Sequence, residues 1–281
     1  MAARDVRRHL EELLPVVFGE AEVSVMHGSV LRTVSAKVVG RPSFLAPRPI
    51  RREIEFALLE AIAKANRLIY IETQFLRDRR ISKALARAAR RNANLTLILI
   101  LPAAPEDVAY GHTTRSDARF GEYLQAAAIR RLRRAFSGRL FIGSPVQPVA
   151  AKGHGRAILH GSPIVYVHAK VAIFDNQLAI VGSANLNGRS LRWDTEVAVA
   201  LRDPETVRAL RNRCMEHMLG LSATDRQELF NVDTAVSGWQ NVALANAKAA
   251  PHDRDGLVVP YLSRPGRRFG RALPAVPEEM V

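Results

Sequence analysis

The sequence predicts an α/β protein in which a mixed β-sheet is flanked by helices on both faces. Helix-like segments alternate with short apolar strand-like runs from about residue 51 to residue 145, and two further apolar runs near residue 175 are separated only by a turn. Alternating helices and strands are typical of layered α/β domains, and a hairpin adds an antiparallel part to such a sheet. The 281 residues suffice for a sizeable core.

The first elements are a helix followed by a strand. Ile54, Leu58 and Ile62 recur at helical spacing behind Pro49, and the β-like run LIYIETQFL follows at 68–76. The pattern then predicts a helix over ISKALARAARRNAN, a buried strand over LTLILILPA, a long helix over SDARFGEYLQAAAIRRLRRAF and a strand over GRLFIGSPV.

A hairpin and a tail follow. SPIVYVHAKVAIF and LAIVGSAN are apolar runs joined by DNQ, which predicts a β-hairpin, and TEVAVAL predicts a further strand. The pattern is helical from Asp203 to about Asn231, and the Pro-, Gly- and Arg-rich remainder from Pro251 onward predicts a segment that packs loosely if at all. We therefore divide the chain into an N-terminal segment at 1–31, a domain at 32–221 and a helical, then irregular, tail at 222–281.

Composition adds a strong positive charge to an otherwise ordinary globular chain. Lys and Arg exceed Asp and Glu by 14, which favours a polyanionic partner such as nucleic acid or an acidic phospholipid surface. Much of the excess lies on Arg/Ala-rich helices, where a solvated helix face explains it equally well. The single cysteine, Cys214, is expected in the core. No apolar run has the length of a signal peptide or a membrane span, so we expect a cytoplasmic protein, with peripheral membrane attachment as an open alternative.

Four polar side chains are predicted to converge on the hairpin. His168 and Lys170 are two apart on a strand and share a face, and the turn brings Ser183 and Asn185, also two apart, towards them. An imidazole can act as nucleophile or general acid/base, while an ammonium, an amide and a hydroxyl can neutralise phosphoryl oxygens without a metal. Glu196 on the next strand is placed to accept an imidazole N–H. The set suits phosphodiester cleavage.

The same residues resemble the His-x-Lys-x4-Asp-x6-Gly-Ser-x-Asn (HKD) motif of the phospholipase D superfamily. The matching positions are His168, Lys170, Asp175, Gly182, Ser183 and Asn185. The likeness extends over about 32–221, because LIYIETQFL resembles the strand that opens the C-terminal half of phospholipase D proper. It implies a phospholipase D-like fold and a two-step displacement, in which one motif histidine attacks phosphorus and another protonates the leaving alcohol. It implies no metal and no other cofactor.

Several residues keep two interpretations. Asp175 matches the motif, but its place at the turn favours a structural role over direct chemistry. Gln74 and Glu72 either reach the site and bind substrate or simply end their strand. His112, on a polar loop, is either a loop cap or a substrate contact. Gly182 is expected to be conformational.

The motif occurs once. HAK at 168–170 is the only His-x-Lys in the sequence, whereas two-motif phospholipases D place one in each half and build a single site between them. In-line displacement requires a second imidazole on the opposite side of phosphorus. We therefore expect a homodimer, a partner chain, or a missing N-terminal half in a truncated gene product, since nothing before Arg32 is able to hold a second half.

Three functions remain open. The first is a phospholipase D-type phosphodiesterase or transphosphatidylase acting on glycerophospholipids at a membrane surface, which the likeness around 72–75 favours. The second is a homodimeric endonuclease with the same residues, which the positive charge favours. The third is an inactive half that binds phosphate or anionic surfaces. NTPase, Rossmann-type and serine-hydrolase functions lack their motifs in this sequence.

Overall fold

A computed structural model describes residues 28–36, 47–221 and 223–281 of the chain. Within these ranges nine strands form one mixed sheet, with helices on both faces. The predicted α/β fold class with a mixed sheet is therefore confirmed. Most of the N-terminal segment predicted at 1–31 lies outside the described residues.

The strands of the sheet and of a short separate hairpin have these bounds: β1 Gly28–Ala36, β2 Arg48–Arg52, β3 Leu68–Thr73, β4 Thr96–Ile100, β5 Leu140–Pro145, β6 Ile158–Leu159, β7 Ser162–Pro163, β8 Lys170–Phe174, β9 Leu178–Gly182, β10 Glu196–Leu201 and β11 Val258–Pro260. The strands of the sheet follow one another in the order β11-β5-β4-β3-β8-β9-β10-β1-β2. The pairings of β4 with β3 and with β5 are parallel, and the remaining pairings are antiparallel.

The α-helices have these bounds: α1 Glu53–Lys64, α2 Arg79–Arg91, α3 Glu106–Ala109, α4 Ser116–Phe136, α5 Gly188–Arg192, α6 Pro204–Leu219, α7 Ala235–Lys248 and α8 Ser263–Phe269. The long helices carry apolar residues at helical spacing and bury that face against the sheet. None of the helices in the described ranges is both long enough and apolar enough to cross a membrane.

Most of the core lies in two apolar layers separated by the sheet, and a third, smaller cluster includes Val146 and Val259. One layer joins α1, α2 and α4 to the sheet, and the other joins α6 and α7 to its opposite face. The central strand β4 is buried on both sides, with Leu97 and Leu99 in the first layer and Ile98 and Ile100 in the second. A strand covered on both faces needs a continuous apolar run, as its sequence has.

The predicted hairpin is confirmed in β8 and β9. Ala172 pairs with Ile180, and the Gln177 N–H donates to the Phe174 carbonyl across the turn. The two residues between them have positive φ, 54° at Asp175 and 59° at Asn176. Two successive positive φ angles are those of a type I′ turn, whose twist suits antiparallel strands, and Asp and Asn tolerate them well.

The C-terminal region is packed more tightly than its composition predicts. Val258 and Val259 on β11 are buried, and β11 pairs with β5 at an edge of the main sheet. On α7, Trp239 is fully buried and donates its ring N–H to the carbonyl of Leu229. The expectation of loose packing from Pro251 onward is therefore wrong, because a short apolar run inside a polar stretch finds a free sheet edge.

Candidate active site

The ends of β3 and β8 place two of the predicted residues. Lys170, the first residue of β8, pairs with Thr73, the last residue of β3. The Lys170 ammonium donates to the main-chain oxygen of His168 at 2.6 Å and to Gln74 Oε1 at 3.4 Å. His168 is exposed and lies just ahead of the strand, so its segment is irregular where a strand was expected. Lys170 and Gln74 therefore lie together beside the main chain of His168.

Tyr166 is a site residue that sequence reasoning did not assign. Its hydroxyl accepts a hydrogen bond from the Gln74 amide, and its ring centroid lies 6.3 Å from that of His168. Burial, the largest cause, and the charge of Glu106 raise the pKa of this phenol, so it stays neutral and able to donate. The signal was available in the sequence, because Tyr166, His168 and Lys170 follow one another at every second position.

The chain after β9 holds the hydroxyl of the motif. The Ser183 hydroxyl donates to the Glu196 carboxylate and accepts the Val197 N–H at 3.1 Å. A side chain at Gly182 would put its Cβ 2.4 Å from the Val197 oxygen and 2.5 Å from the Ala198 Cβ, so glycine allows β9 to approach β10 there. Ser183 and Glu196 are thereby held as a pair.

Glu196 does not contact His168 in this single chain. In the described part of the molecule its carboxylate bonds Ser183, and no hydrogen bond joins it to the imidazole. Its charge still acts on the site, since it partly offsets the burial that lowers the pKa of Lys170. Its predicted role in orienting the imidazole stays a prediction.

Asn185 presents a free polar atom. Its side-chain oxygen is buried and has no hydrogen-bond partner among the described residues. The next residue is fixed, because the Leu186 carbonyl accepts the N–H groups of Arg77 at 2.8 Å and of Asp78 at 2.9 Å. A buried polar group without a partner is unfavourable unless a ligand or water pairs with it. Asn185 is thus anchored through its backbone and available to a bound group.

A buried ion network fixes the chain beyond the motif. Arg192, at the end of α5, contacts Asp78 and lies 3.1 Å from Glu55 Oε1. Asp78 also caps α2 by accepting the Ile81 N–H at 2.7 Å. A buried charge pair is stable only when its remaining hydrogen bonds are made, as here. The network ties the end of the site segment to α1 and α2.

Asp175 lies away from the other motif residues. It stands at the opposite end of β8 from Lys170, about 16 Å along the strand. Its carboxylate accepts the backbone N–H groups of Asn66 at 2.6 Å, Arg67 at 2.8 Å and Leu68 at 2.9 Å. The structure therefore does not bring Asp175 to the site, and its place among the catalytic candidates is corrected to a structural one: it joins the hairpin to the start of β3.

Glu72 and His112 are also outside the contacts around His168. The Glu72 carboxylate is buried on the other side of the sheet, where Tyr70 donates to it at 2.6 Å, and burial raises its pKa. Of the two residues, Gln74 therefore reaches the site, whereas Glu72 lies within β3 and faces away from it. His112 is exposed on the loop before α4, next to Gly111. Gly111 lines the neighbouring cleft, while His112 does not.

A cleft of about 760 Å³ opens beside this group of residues. Gln74 and Tyr166 line it on one side, and Asp117 and Ala118, from the first turn of α4, line it on another. Among the described residues, no group of three or more His, Cys, Asp or Glu side chains is arranged to hold a metal ion. The chemistry that these residues can supply is an exposed imidazole, an ammonium and neutral hydrogen-bond donors.

Comparison with known families identifies the family of this chain. The family model described as "Cardiolipin synthase, PLD-like domain" matches residues 58–218, more than half of the chain. The chain therefore belongs to this phospholipase D-like family. The resemblance predicted from the HKD motif is confirmed at the level of the family.

Individual relatives are distant and much longer. Phospholipase D1 of Schizosaccharomyces pombe is 26% identical over 231 residues, covering 66% of this chain and 16% of that protein. Phospholipase D2 of Bos taurus is 27% identical over 237 residues, covering 68% of this chain and 25% of that protein. The chain thus spans a quarter or less of the length of these relatives.

Among solved structures, NucT from Helicobacter pylori resembles the chain with a TM-score of 0.44 and 17% identity, covering 67% of this chain and 93% of that chain. The likeness is too loose to bear on function.

Proposed function

We propose that this chain is one half of a phospholipase D-type phosphodiesterase or transphosphatidylase that acts on glycerophospholipids through a phosphohistidine. The observation that carries the proposal is the grouping of Lys170 and Gln74 beside the main chain of His168, at the edge of an open cleft. Membership of the phospholipase D-like family supports phosphodiester chemistry, and the similarity to phospholipases D1 and D2 supports a lipid substrate.

The proposed reaction has two displacements. A ring nitrogen of His168 attacks phosphorus, and the bond between phosphorus and the head-group oxygen breaks while a second imidazolium gives that oxygen its proton. The second imidazole then takes a proton from water, whose oxygen attacks the phosphohistidine. Phosphatidic acid leaves and both imidazoles return to their starting state. An alcohol in place of water gives a transferred phosphatidyl group.

The remaining site residues stabilise charge in this scheme. The Lys170 ammonium and the Asn185 amide bind the non-bridging oxygens, which become more negative as the new bond forms. Glu196 orients an imidazole, with Ser183 holding its carboxylate in place. Gln74 and Tyr166 position substrate at the cleft.

A second motif-bearing half completes the proposed site. His168 and Ser183 are exposed in the single chain, so the site is open on one side. A second copy or a partner chain that covers this side brings the opposite imidazole and excludes water from the developing charge. In a symmetric pair, His168 of one chain attacks and His168 of the other chain protonates the leaving oxygen.

The net charge of +14 favours one other candidate, a homodimeric endonuclease that uses the same residues. The two functions differ in substrate and share their chemistry. Activity assays therefore have to present both kinds of phosphodiester.

The test measures release of choline from phosphatidylcholine vesicles and nicking of plasmid DNA by the purified protein over a range of concentrations. We expect choline release that rises more steeply than linearly with protein concentration, and its loss in His168→Ala. The matched control is His217→Ala, an exposed histidine on α6 at the opposite face of the sheet. Retained choline release in a folded His168→Ala protein would sink the proposal, and DNA nicking without choline release would favour the endonuclease.

A further inference from the structure

A cluster of arginines lies outside the candidate site, where α4 contacts α8. A cleft of about 850 Å³ is found there, and none of its described lining residues is acidic. Its basic lining residues are Arg119, Arg133, Arg156, Arg264 and Arg268. The arginines come from two helices and a loop that are distant in sequence, which a single solvated helix face does not explain.

A second cleft, of about 290 Å³, extends the same surface. It adds Arg130, Arg134 and Arg267 to the cluster. Both clefts share Arg133 and Ser263, whose side chains are joined by a hydrogen bond of 2.9 Å. We refer to the eight arginines that line the two clefts as the α4–α8 arginine surface.

Most of this charge is not compensated by the residues that the structure describes. Arg156 pairs with the buried Glu122 at 2.5 Å. Among the residues that the structure describes, none of the other arginines of the surface forms an ion pair with a carboxylate. Like charges crowded on neighbouring helices repel one another, and an external polyanion relieves that repulsion. The cluster therefore points to an anionic partner.

The apolar residues of the surface indicate which polyanion. Leu262 lines the larger cleft and is 44% exposed. The ring of Phe269 lies under the guanidinium of Arg119 at 5.3 Å and near that of Arg156 at 5.9 Å. An exposed leucine among cations suits the boundary between lipid head groups and acyl chains. The ring of Phe269, on which a nucleobase could stack, is instead contacted by these two guanidinium groups. These observations favour a lipid surface over nucleic acid.

The surface adjoins the candidate site. Asp117 and Ala118, in the first turn of α4, line the cleft that Gln74 and Tyr166 also line. The next residue, Arg119, lines the arginine cleft. A bilayer bound at the arginine surface therefore lies close to the opening of the site, because consecutive residues of α4 line the two clefts.

We propose that the α4–α8 arginine surface binds the phosphate groups of acidic phospholipids and holds the protein against an anionic bilayer. The preference for lipid over other polyanions rests in part on the proposed function. The binding itself uses none of the residues placed in the active site, so it occurs without turnover. It weakens as salt screens the charges.

The test is sedimentation of the protein with phosphatidylcholine vesicles that contain or lack phosphatidic acid, at low and high salt. We expect binding only with the acidic lipid and release by salt. The triple variant Arg264→Ala, Arg267→Ala, Arg268→Ala weakens binding on the order of a hundredfold, as expected for three cations at an anionic surface. The matched control, Arg202→Ala, Arg208→Ala, Arg213→Ala, removes the same charge from exposed positions at or near α6 and binds like wild type.

The inference would be overturned if the α8 variant and the α6-side control bound acidic vesicles equally well. It would also be overturned if the α8 variant lost binding to a DNA fragment while its vesicle binding stayed unchanged. If circular dichroism shows that the α8 variant is unfolded, the double variant Arg130→Ala, Arg134→Ala on α4 replaces it in the vesicle assay, with the same expected loss of binding. Two further arms separate this inference from the proposed function. His168→Ala binds acidic vesicles normally, and the α8 variant hydrolyses soluble short-chain phosphatidylcholine at the wild-type rate. Failure of catalysis alone thus leaves the membrane surface standing, and failure of vesicle binding alone leaves the catalytic proposal standing.

Discussion

The side chain of Lys170 donates to the main-chain oxygen of His168 at 2.6 Å, so the histidine and the lysine of the HKD motif are linked before any substrate binds. In this conformation the ammonium also donates to Gln74 at 3.4 Å. Burial lowers the pKa of Lys170, and the charge of Glu196 acts in the opposite direction. A partly buried ammonium with few partners is well suited to donate to a phosphoryl oxygen in place of these partners.

Replacing Lys170 tests this role. Lys170→Met keeps the length of the side chain and removes the charge, so we expect phosphodiester turnover to fall by about 10²- to 10³-fold, as for the loss of one donor to a developing negative charge. Thermal unfolding should change little, because the cation forms no ion pair with a carboxylate in the described residues. Lys83→Met, at an exposed position of α2, is the control. Unchanged turnover in Lys170→Met would exclude the ammonium from the chemistry.

Gly182 is predicted to be needed for the close packing of β9 against β10. Gly182→Ala places a methyl group 2.4 Å from the Val197 oxygen and must push β9 away from β10. We expect a loss of about 1–3 kcal/mol in the free energy of unfolding, measured by urea denaturation. Gly138→Ala, where nothing lies within 4 Å of the new Cβ, should be close to neutral. Equal stability of the two variants would show that the strands separate without penalty.

Asp175 is predicted to affect stability rather than turnover. Asp175→Ala leaves three backbone N–H groups without their acceptor and puts alanine at φ 54°, so we expect a loss of about 2–4 kcal/mol in unfolding free energy. Asp175→Asn keeps an acceptor and a residue tolerant of that φ, and should lose less. Steady-state kinetics of the folded variants should stay near wild type. A large drop in kcat without a drop in stability would return Asp175 to the chemistry.

The C-terminal residues contact the end of α5 through the ion pair of 3.0 Å between Glu279 and Arg192. We predict that they dock there more weakly as pH rises. Burial raises the pKa of Glu278 to about 7 from an ordinary value of 4.5, the charge of Asp78 adds to this, and Arg192 opposes it. Between those two pH values the docked segment holds a proton that the undocked segment has released. Docking is therefore fully favourable below about pH 4.5 and is progressively lost as pH rises through 7.

Hydrogen exchange of the peptide covering 271–281 measures this effect. After correction for the intrinsic rate, we expect protection to fall between pH 5 and pH 8 in wild type. Glu278→Gln mimics the protonated side chain, so its protection should hardly depend on pH. The same pH dependence in both proteins would assign the effect to another group.

Short-range sequence patterns were sufficient to predict much of the fold and several residues of the candidate site. Alternating apolar residues and the turn residues Asp175 and Asn176 predict the hairpin, because its register depends on a few neighbouring positions. The spacing of His168, Lys170 and Ser183 along that hairpin likewise identifies them as candidates.

Contacts between distant residues could not be predicted in this way. The bond between Gln74 and Tyr166 joins positions 92 residues apart and exists because β3 pairs with β8. The same holds for β11, whose three residues become a strand only because β5 leaves an edge free. The clustering of arginines from α4 and α8 also depends on how the helices pack, which composition does not reveal.

The central claim, that His168 is the nucleophile of one half of a phosphodiesterase, is tested most directly with a 4-nitrophenyl phosphodiester. Nitrophenolate leaves without needing a proton, so the attack by His168 does not depend on the second imidazole. The protein is mixed with this ester, quenched in alkaline denaturant and analysed by mass spectrometry. We predict a burst of nitrophenolate of about one per active site, which is one per two chains in a symmetric pair, and a phosphoryl adduct on His168, both absent in His168→Ala. An undiminished burst in His168→Ala, or an adduct on any other residue, would contradict the account.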